Sequence, residues 1–226
     1  MSSLETAIAH YEIRPMTKGA LALVVEWAAE EEWNPGLYDV GCFYATDENG
    51  FLLGLLDGKP IASISAVRYG ETFGFIGFYM VRPAFRGQGY GWKIWQAGCN
   101  YLEGRTIGLD GVVEQQKNYT KSGFELAHQN IRYEGAGVAT DSAVSFEKPI
   151  DDRSQLVDLS SISIETVIDY DKDMFLCDRS NFLRCWINSP HHQAIGLIKE
   201  QQLSGYGVLR PCQQGYKIGP LFADTP

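Results

Sequence analysis

Thr72 to Val81 is an uncharged run of Phe, Ile, Tyr, Met and Val broken only by Gly74 and Gly77. Such a run reads as a central strand buried on both faces. It leads directly into Arg82-Pro83-Ala84-Phe85-Arg86-Gly87-Gln88-Gly89-Tyr90-Gly91-Trp92. A helix is then predicted over Gly89–Glu103, with Gly91, Ile94, Trp95, Gly98 and Leu102 along one face. Gly98 lets that helix lie close to the sheet, and Gly104 stops it. A buried strand, a glycine-rich turn and an amphipathic helix in succession demand a sheet with helices packed on it.

The rest of the first 150 residues supplies that sheet. Tyr11 to Arg14 reads as a strand ended by Pro15, and Thr17 as the cap of a helix with Leu21, Val24, Val25 and Ala28 on its apolar face. Asn34-Pro35-Gly36 makes a turn before a short helix over Leu37–Ala45. Phe51–Leu56 and Ile61–Tyr69 form a hairpin about Asp57-Gly58. Thr106–Leu109 is a further strand, and Val113–Ser122 a short helix ending at Gly123. Phe124–Tyr133 and Ala143–Phe146 are expected to close the sheet. Glu147–Asp158 turns polar and reads as a linker. Beyond it, Ile162–Ile168 is strand-like, and Asp171 or Asp173 caps a helix that places Phe175, Phe182, Leu183, Trp186 and Ile187 on one face. Strands follow at Ala194–Lys199, Gly205–Arg210 and Tyr216–Phe222.

The 226 residues are many for one small domain and few for two full ones. The formal net charge of -9 argues against sequence-independent nucleic-acid binding, which needs clustered Lys and Arg. No apolar stretch approaches membrane-spanning length, and no signal peptide is visible in Met1–Arg14, so a cytoplasmic protein without a membrane partner is expected. The five cysteines, Cys42, Cys99, Cys177, Cys185 and Cys212, include no CxxC pair and read as free thiols. No metal is expected, since His191 and His192 have no cysteine at finger spacing.

Chemistry concentrates at Arg82–Trp92. Gly87, Gly89 and Gly91 leave backbone amides uncovered at a helix N-terminus, where the dipole favours an anion. Four basic residues stand between positions 82 and 105 (Arg82, Arg86, Lys93, Arg105) against the single acid Glu103, a local excess that suits a phosphorylated ligand. No Gly-Lys-Ser/Thr follows, so the turn is not a Walker loop. A dinucleotide fold is a closer rival, with Asp110 about 20 residues past the glycines. Trp92, however, stands where the third glycine of that fingerprint belongs, and the motif lies mid-chain after hairpins.

Arg86-Gly87-Gln88-Gly89-Tyr90-Gly91, preceded by Val81-Arg82-Pro83, resembles the Arg/Gln-x-x-Gly-x-Gly/Ala signature of the GNAT superfamily of N-acetyltransferases. Tyr119-Thr120-Lys121-Ser122-Gly123-Phe124 is similar to its Tyr-x-x-x-Gly-Phe motif. The resemblance covers about the first 150 residues. It implies an α+β GNAT fold, a mixed and mostly antiparallel sheet flanked by helices, with acetyl-CoA as acyl donor. Arg86, Gly87, Gln88, Gly89, Tyr90, Gly91 and Trp92 would then hold the pyrophosphate. The backbone of Tyr79, Met80 and Val81 would hold the pantetheine, and Tyr119 would protonate the departing thiolate. Val112 replaces an asparagine often found seven positions before that tyrosine. Residues 151–226 resemble, through Gly205–Cys212 and Gly215–Asp224, the second degenerate lobe of a bacterial-type subfamily, and read as an incomplete lobe.

The implied reaction is direct attack of a neutral amine on a thioester, with the amide of Met80 as oxyanion donor. The base is open among Glu71, Glu32 and Asp39. Glu30, Glu31 and Glu32 close the first helix at the unfavourable end of its dipole. Together with the exposed Trp33 they point to a small cationic amine held by Glu32, Trp33, Asn34 and Asp39. Other readings are an acyl-CoA-binding module without turnover and a dinucleotide-binding enzyme. The oligomeric state stays open, a dimer being one option.

Overall fold

The computed structural model describes residues 9–136, 154–175 and 177–225. Its first lobe runs β1 (Tyr11–Pro15), α1 (Lys18–Glu30), α2 (Asp39–Thr46), β2 (Phe51–Leu56), β3 (Lys59–Tyr69), β4 (Phe73–Val81), α3 (Tyr90–Tyr101), β5 (Thr106–Leu109) and α4 (Gln116–Lys121). The sheet order is β1-β2-β3-β4-β5. All neighbours are antiparallel except β4 and β5, which are parallel. The Thr17 hydroxyl accepts from the Ala20 amide and starts α1, a cap worth about 1 kcal/mol. Leu21, Val24, Val25 and Ala28 are all buried against one face of the sheet. The other face carries α3 through Ile94, Trp95, Gly98 and Leu102. A side chain at Gly98 would come within 2.8 Å of Ile64, so only glycine permits this approach.

The second lobe repeats the plan. It runs β6 (Ser154–Asp158), α5 (Ile164–Phe175), α6 (Ser180–Ile187), β7 (Gln193–Lys199), β8 (Gln202–Pro211) and β9 (Tyr216–Ala223), with sheet order β6-β7-β8-β9. Two helices again stand between the first and second strands. In β4, Phe78 and Tyr79 together face the single residue Ile64. In β9, Gly219 and Pro220 together face Val208. The same bulge thus recurs on the fourth strand of each lobe.

The lobes meet along α2 and α6. Cys42 and Cys185 form a disulfide across this seam, with Cα atoms 5.2 Å apart. The buried Asp39 receives Arg210 at 3.1 Å. Gly36 bridges Cys212, and the Leu37 amide donates to the Pro211 carbonyl at 3.0 Å. Phe43 stacks on Trp186.

Several expectations need correction. Not all cysteines are free, because a pairing across 143 residues forms only when two lobes fold together and leaves no spacing signal. The Thr72–Val81 strand lies one place from the edge, and of β4 only Gly74, Ile76 and Met80 are buried. Phe124–Tyr133 forms no strand; Leu126, Ile131 and Tyr133 are exposed. Its expected partner Ala143–Phe146, and most of the expected linker, lie outside the described residues. The end of that linker is the edge strand β6. Ile162–Ile168 belongs largely to α5, where Val167 and Ile168 bury one helical face rather than alternating. Asp171 and Asp173 lie inside α5, and the aromatic face expected as one helix is split between α5 and α6.

Burial holds the Tyr11 hydroxyl up at about 12, and it donates to the Tyr90 carbonyl at 3.4 Å. Burial and the hydrogen bond to Asp47 raise Tyr101 to about 12 as well. Both lie above the ordinary value near 10. Their contribution to stability is therefore complete below about pH 10 and is lost as pH rises towards 12. An absorbance titration at 295 nm should show a late tyrosinate wave that coincides with loss of far-ultraviolet dichroism.

Candidate active site

The parallel ladder between β4 and β5 ends at Ile76 and Leu109. Gly77–Val81 has no ladder partner on that side among the described residues, which leaves a candidate cleft between the two strands. Phe78 lies at the bulge with φ of 44°, in the left-handed region, which costs a non-glycine residue about 1–2 kcal/mol. Its carbonyl is held by the Ser63 hydroxyl at 2.7 Å. Ser63 is fully buried, one of two buried serines, with Ser65, in the middle of β3. The bulge turns the backbone of Tyr79 and Met80 relative to the strand before it.

At the end of β4 the Arg86 guanidinium folds back, its Nε donating to the Val81 carbonyl at 2.8 Å. Gly87 and Gly89 take φ of 76° and 84°, with nothing within 4 Å of where a side chain would stand. Gly89 caps α3 without any side-chain hydrogen bond, so the first-turn amides of the helix face outward. The Gln88 amide braces the turn on the Ala84 carbonyl at 3.1 Å. Trp92 is exposed beside it. An open cradle of glycine amides at the positive end of a helix fits a pyrophosphate.

Glu30 and Glu31 are not free for a substrate. Glu30 pairs with Arg82, and Glu31 with Arg86. These arginines offset the unfavourable position of the two carboxylates at the helix end, and they tie α1 to the glycine turn. Arg82 also lies over the Trp27 ring.

Across the cleft, Tyr119 packs its ring against Trp95 and Phe124, with centroids 5.8 and 6.4 Å away. Burial raises its phenol above the ordinary range, so it stays protonated at neutral pH. Tyr79 reaches the same cluster, 5.2 Å from Trp95. Its phenol is raised by burial first and by Tyr119 second. The structure therefore brings together Tyr79, Met80, Val81, the 86–92 turn and Tyr119 around one cleft.

The acceptor-side residues are placed differently. The Asn34 amide is spent on the second lobe, donating to the Gln214 carbonyl and accepting from the Gln214 amide, each at 2.9 Å. Asp39 is engaged by Arg210 and by the Gly36 amide at 2.9 Å. Glu32 and Trp33 are exposed, and the Trp33 carbonyl accepts from Lys217 at 2.8 Å. Glu71 is exposed in the turn before β4, remote from the bulge. Arg179 is nearly buried and forms a bidentate pair with Asp171 at 2.6 and 2.7 Å. Asp171 also accepts from the Tyr206 hydroxyl. Sequence reasoning missed this triad and the role of Ser63. The available hints were two serines, Ser63 and Ser65, amid the apolar residues of β3 and an aspartate on the apolar side of α5.

Comparison with known proteins gives the family. The pattern of the Acetyltransferase (GNAT) family matches residues 20–124, and that of an Acetyltransferase (GNAT) domain matches residues 167–226. The holothin acyltransferase of a Pseudoalteromonas strain is 29% identical over 212 residues, which is 94% of this chain and 69% of that protein. An uncharacterized Caenorhabditis elegans protein is 27% identical over 67% of this chain and 50% of its own length. A crystal structure from Pyrococcus horikoshii, assigned as an acetyltransferase, shares the fold over 100% of this chain and 75% of its own, with a TM-score of 0.67 and 20% identity. Among the described residues no helix is long and apolar enough to cross a membrane. The chain belongs to the GNAT superfamily of acyltransferases, which use acyl-CoA donors, and joins an N-terminal GNAT domain to a second GNAT-like one.

Proposed function

We propose that this protein is an acetyl-CoA-dependent N-acetyltransferase acting on the amine of a small molecule, with residues 1–150 as the catalytic domain and 151–226 as a lobe that shapes the acceptor side. The observation that carries this reading is the meeting of three parts: the glycine cradle at Arg86–Trp92, the candidate cleft where β4 leaves β5, and the phenol of Tyr119. The similarity to a holothin acyltransferase supports a small-molecule acceptor.

The donor supplies an activated thioester: the amine nitrogen bonds to the carbonyl carbon, the carbon–sulfur bond breaks with its electron pair on sulfur, and one proton passes in net from nitrogen to sulfur. Gly87, Gly89 and Gly91 let backbone amides approach the pyrophosphate, and Gln88, Tyr90 and Trp92 complete the turn. Arg86 holds that turn against the strand end. The backbone of Tyr79 to Val81 lines the pantetheine path, and the amide of Met80 offers an oxyanion donor. Tyr119 donates the proton to sulfur. Trp33 and Glu32 flank the route by which the acceptor enters. The proposed compartment is the cytoplasm, where acyl-CoA is abundant.

Thermal denaturation tests the assignment. CoA at 100 times its dissociation constant should add about 2.7 kcal/mol of stability, and NAD should add none. Absence of any shift with CoA would remove the reading. Tyr119→Phe should lower kcat at least tenfold with little change in the KM for acetyl-CoA, because the ring remains and the proton does not. An unchanged kcat with chemistry rate-limiting would exclude Tyr119 as the acid.

A further inference from the structure

The face of β4 away from α3 is bordered by rings from both lobes. Phe73 and Tyr69 contact Phe175 of α5, with centroids at 6.1 and 5.5 Å. Arg179 lies over Phe175 at 4.0 Å and near Phe182 at 5.6 Å. Phe182 meets Trp186 at 4.8 Å, Trp186 stacks on Phe43 at 5.8 Å, and Phe43 reaches Phe78 at 5.8 Å. The circuit starts on β4 at Phe73 and returns to it at the bulge. That stretch spans about 16 Å of strand.

Within the circuit the floor is kept low. Gly77 presents no side chain, and the rings of Phe73 and Phe75 lean over Gly108 of β5. Of the circuit only Trp186 is fully buried; Phe43, Tyr69, Phe73, Phe78, Phe175, Arg179 and Phe182 all keep some exposure. The rings flank the two buried cores without being fully enclosed by either.

The charged groups around the circuit are engaged, Asp47 near Tyr69 by the Tyr101 hydroxyl and the Arg68 amide. Arg179 is neutralised by Asp171, which also takes the Tyr206 hydroxyl. Asp39 belongs to Arg210, and Glu30 and Glu31 to Arg82 and Arg86. An alkylammonium ion would find no unpaired carboxylate among these groups. With a pKa near that of lysine, only about one such molecule in a thousand or fewer is neutral at pH 7. A base would be needed to free its nitrogen. An aryl or heteroaryl amine is already neutral, and its flat ring suits aromatic walls.

We propose that the second lobe supplies half of the acceptor pocket, and that Phe175, Arg179 and Phe182, with Phe43 and Phe78, select a flat aromatic amine. This rests on the acyl-transfer reading above and adds the substrate class. The ring sits between the two walls with its amine directed at the bulge. The second lobe thereby becomes a specificity element, although it carries no glycine cradle.

The test uses the full chain saturated with CoA. Calorimetry measures binding of 6-aminoquinoline, cyclohexylmethylamine and spermidine, and thiol release under acetyl-CoA measures turnover of each. The expected result is at least tenfold tighter binding of 6-aminoquinoline than of either alkylamine, with the same order in kcat/KM wherever turnover is seen. Phe182→Ala and the gentler Phe175→Leu should each weaken 6-aminoquinoline five- to tenfold and leave the dissociation constant of CoA unchanged. Equal or tighter binding of the alkylamines overturns the proposal while acyl transfer stands. So does wild-type affinity in both variants. If CoA itself does not bind, the acyl-transfer reading fails and takes this proposal with it.

Discussion

Gly89→Asp should abolish CoA binding, while Gly89→Asn should retain most of it. Nothing stands within 4 Å of the missing side chain, so both substitutions fit sterically. Both share the same left-handed backbone cost of about 1 kcal/mol, which Asp and Asn tolerate better than other residues. They differ in charge alone. A carboxylate brought to roughly 4 Å from a phosphate charge in a partly screened site costs about 4 kcal/mol, near a thousandfold in affinity. Calorimetric titration of both variants with CoA separates charge from conformation. Equal affinity in the two would show that the cradle does not face the pyrophosphate.

Asp171→Ala should be the most damaging single change to the fold. Asp171 is fully buried, and the Arg179 side chain is 10% exposed. Removing the carboxylate strands a guanidinium and the Tyr206 hydroxyl in a low-dielectric seam. Breaking a buried pair from one side typically costs about 3–5 kcal/mol, a large share of the total stability of a domain. Denaturant unfolding followed by tryptophan fluorescence should show a correspondingly lower midpoint. The paired replacement Asp171→Leu with Arg179→Leu should recover much of the loss, since no charge is then left without a partner. Equal damage from the single and double changes would mean that shape, and not charge, holds the seam.

The parts of this molecule that sequence could reveal are those set by local pattern. The apolar period of Leu21, Val24, Val25 and Ala28, the turn at Asp57-Gly58 and the glycines before α3 each carry their structural reason within a few residues. The placing of the glycine turn before α3 and of Tyr119 beside Phe124 follows from the same local patterns. What escaped depends on contacts between distant segments. Nothing near Cys42 points to Cys185, and nothing near Asp39 points to Arg210. Ile162–Ile168 misled because its few apolar residues satisfy either a strand or a helix, and the tertiary partner of Val167 decides between them. Phe124–Tyr133 has strand composition but no neighbouring strand among the described residues. Asn34 was assigned to substrate on its place in an exposed turn, whereas its amide meets a backbone 180 residues away.

The Cys42–Cys185 bond also changes what it means to cut this chain. It closes the backbone into a ring with two tails, and that ring holds every residue of the cradle, the cleft and Tyr119. A protease entering at the exposed 125–134 stretch would open the ring without releasing a fragment. The nicked protein would run as one band on a gel without reductant and as two with it, and the bulge, the cradle and both sheets would remain tethered. The two lobes are thus joined covalently at two points, through the chain that links them and through the Cys42–Cys185 bond.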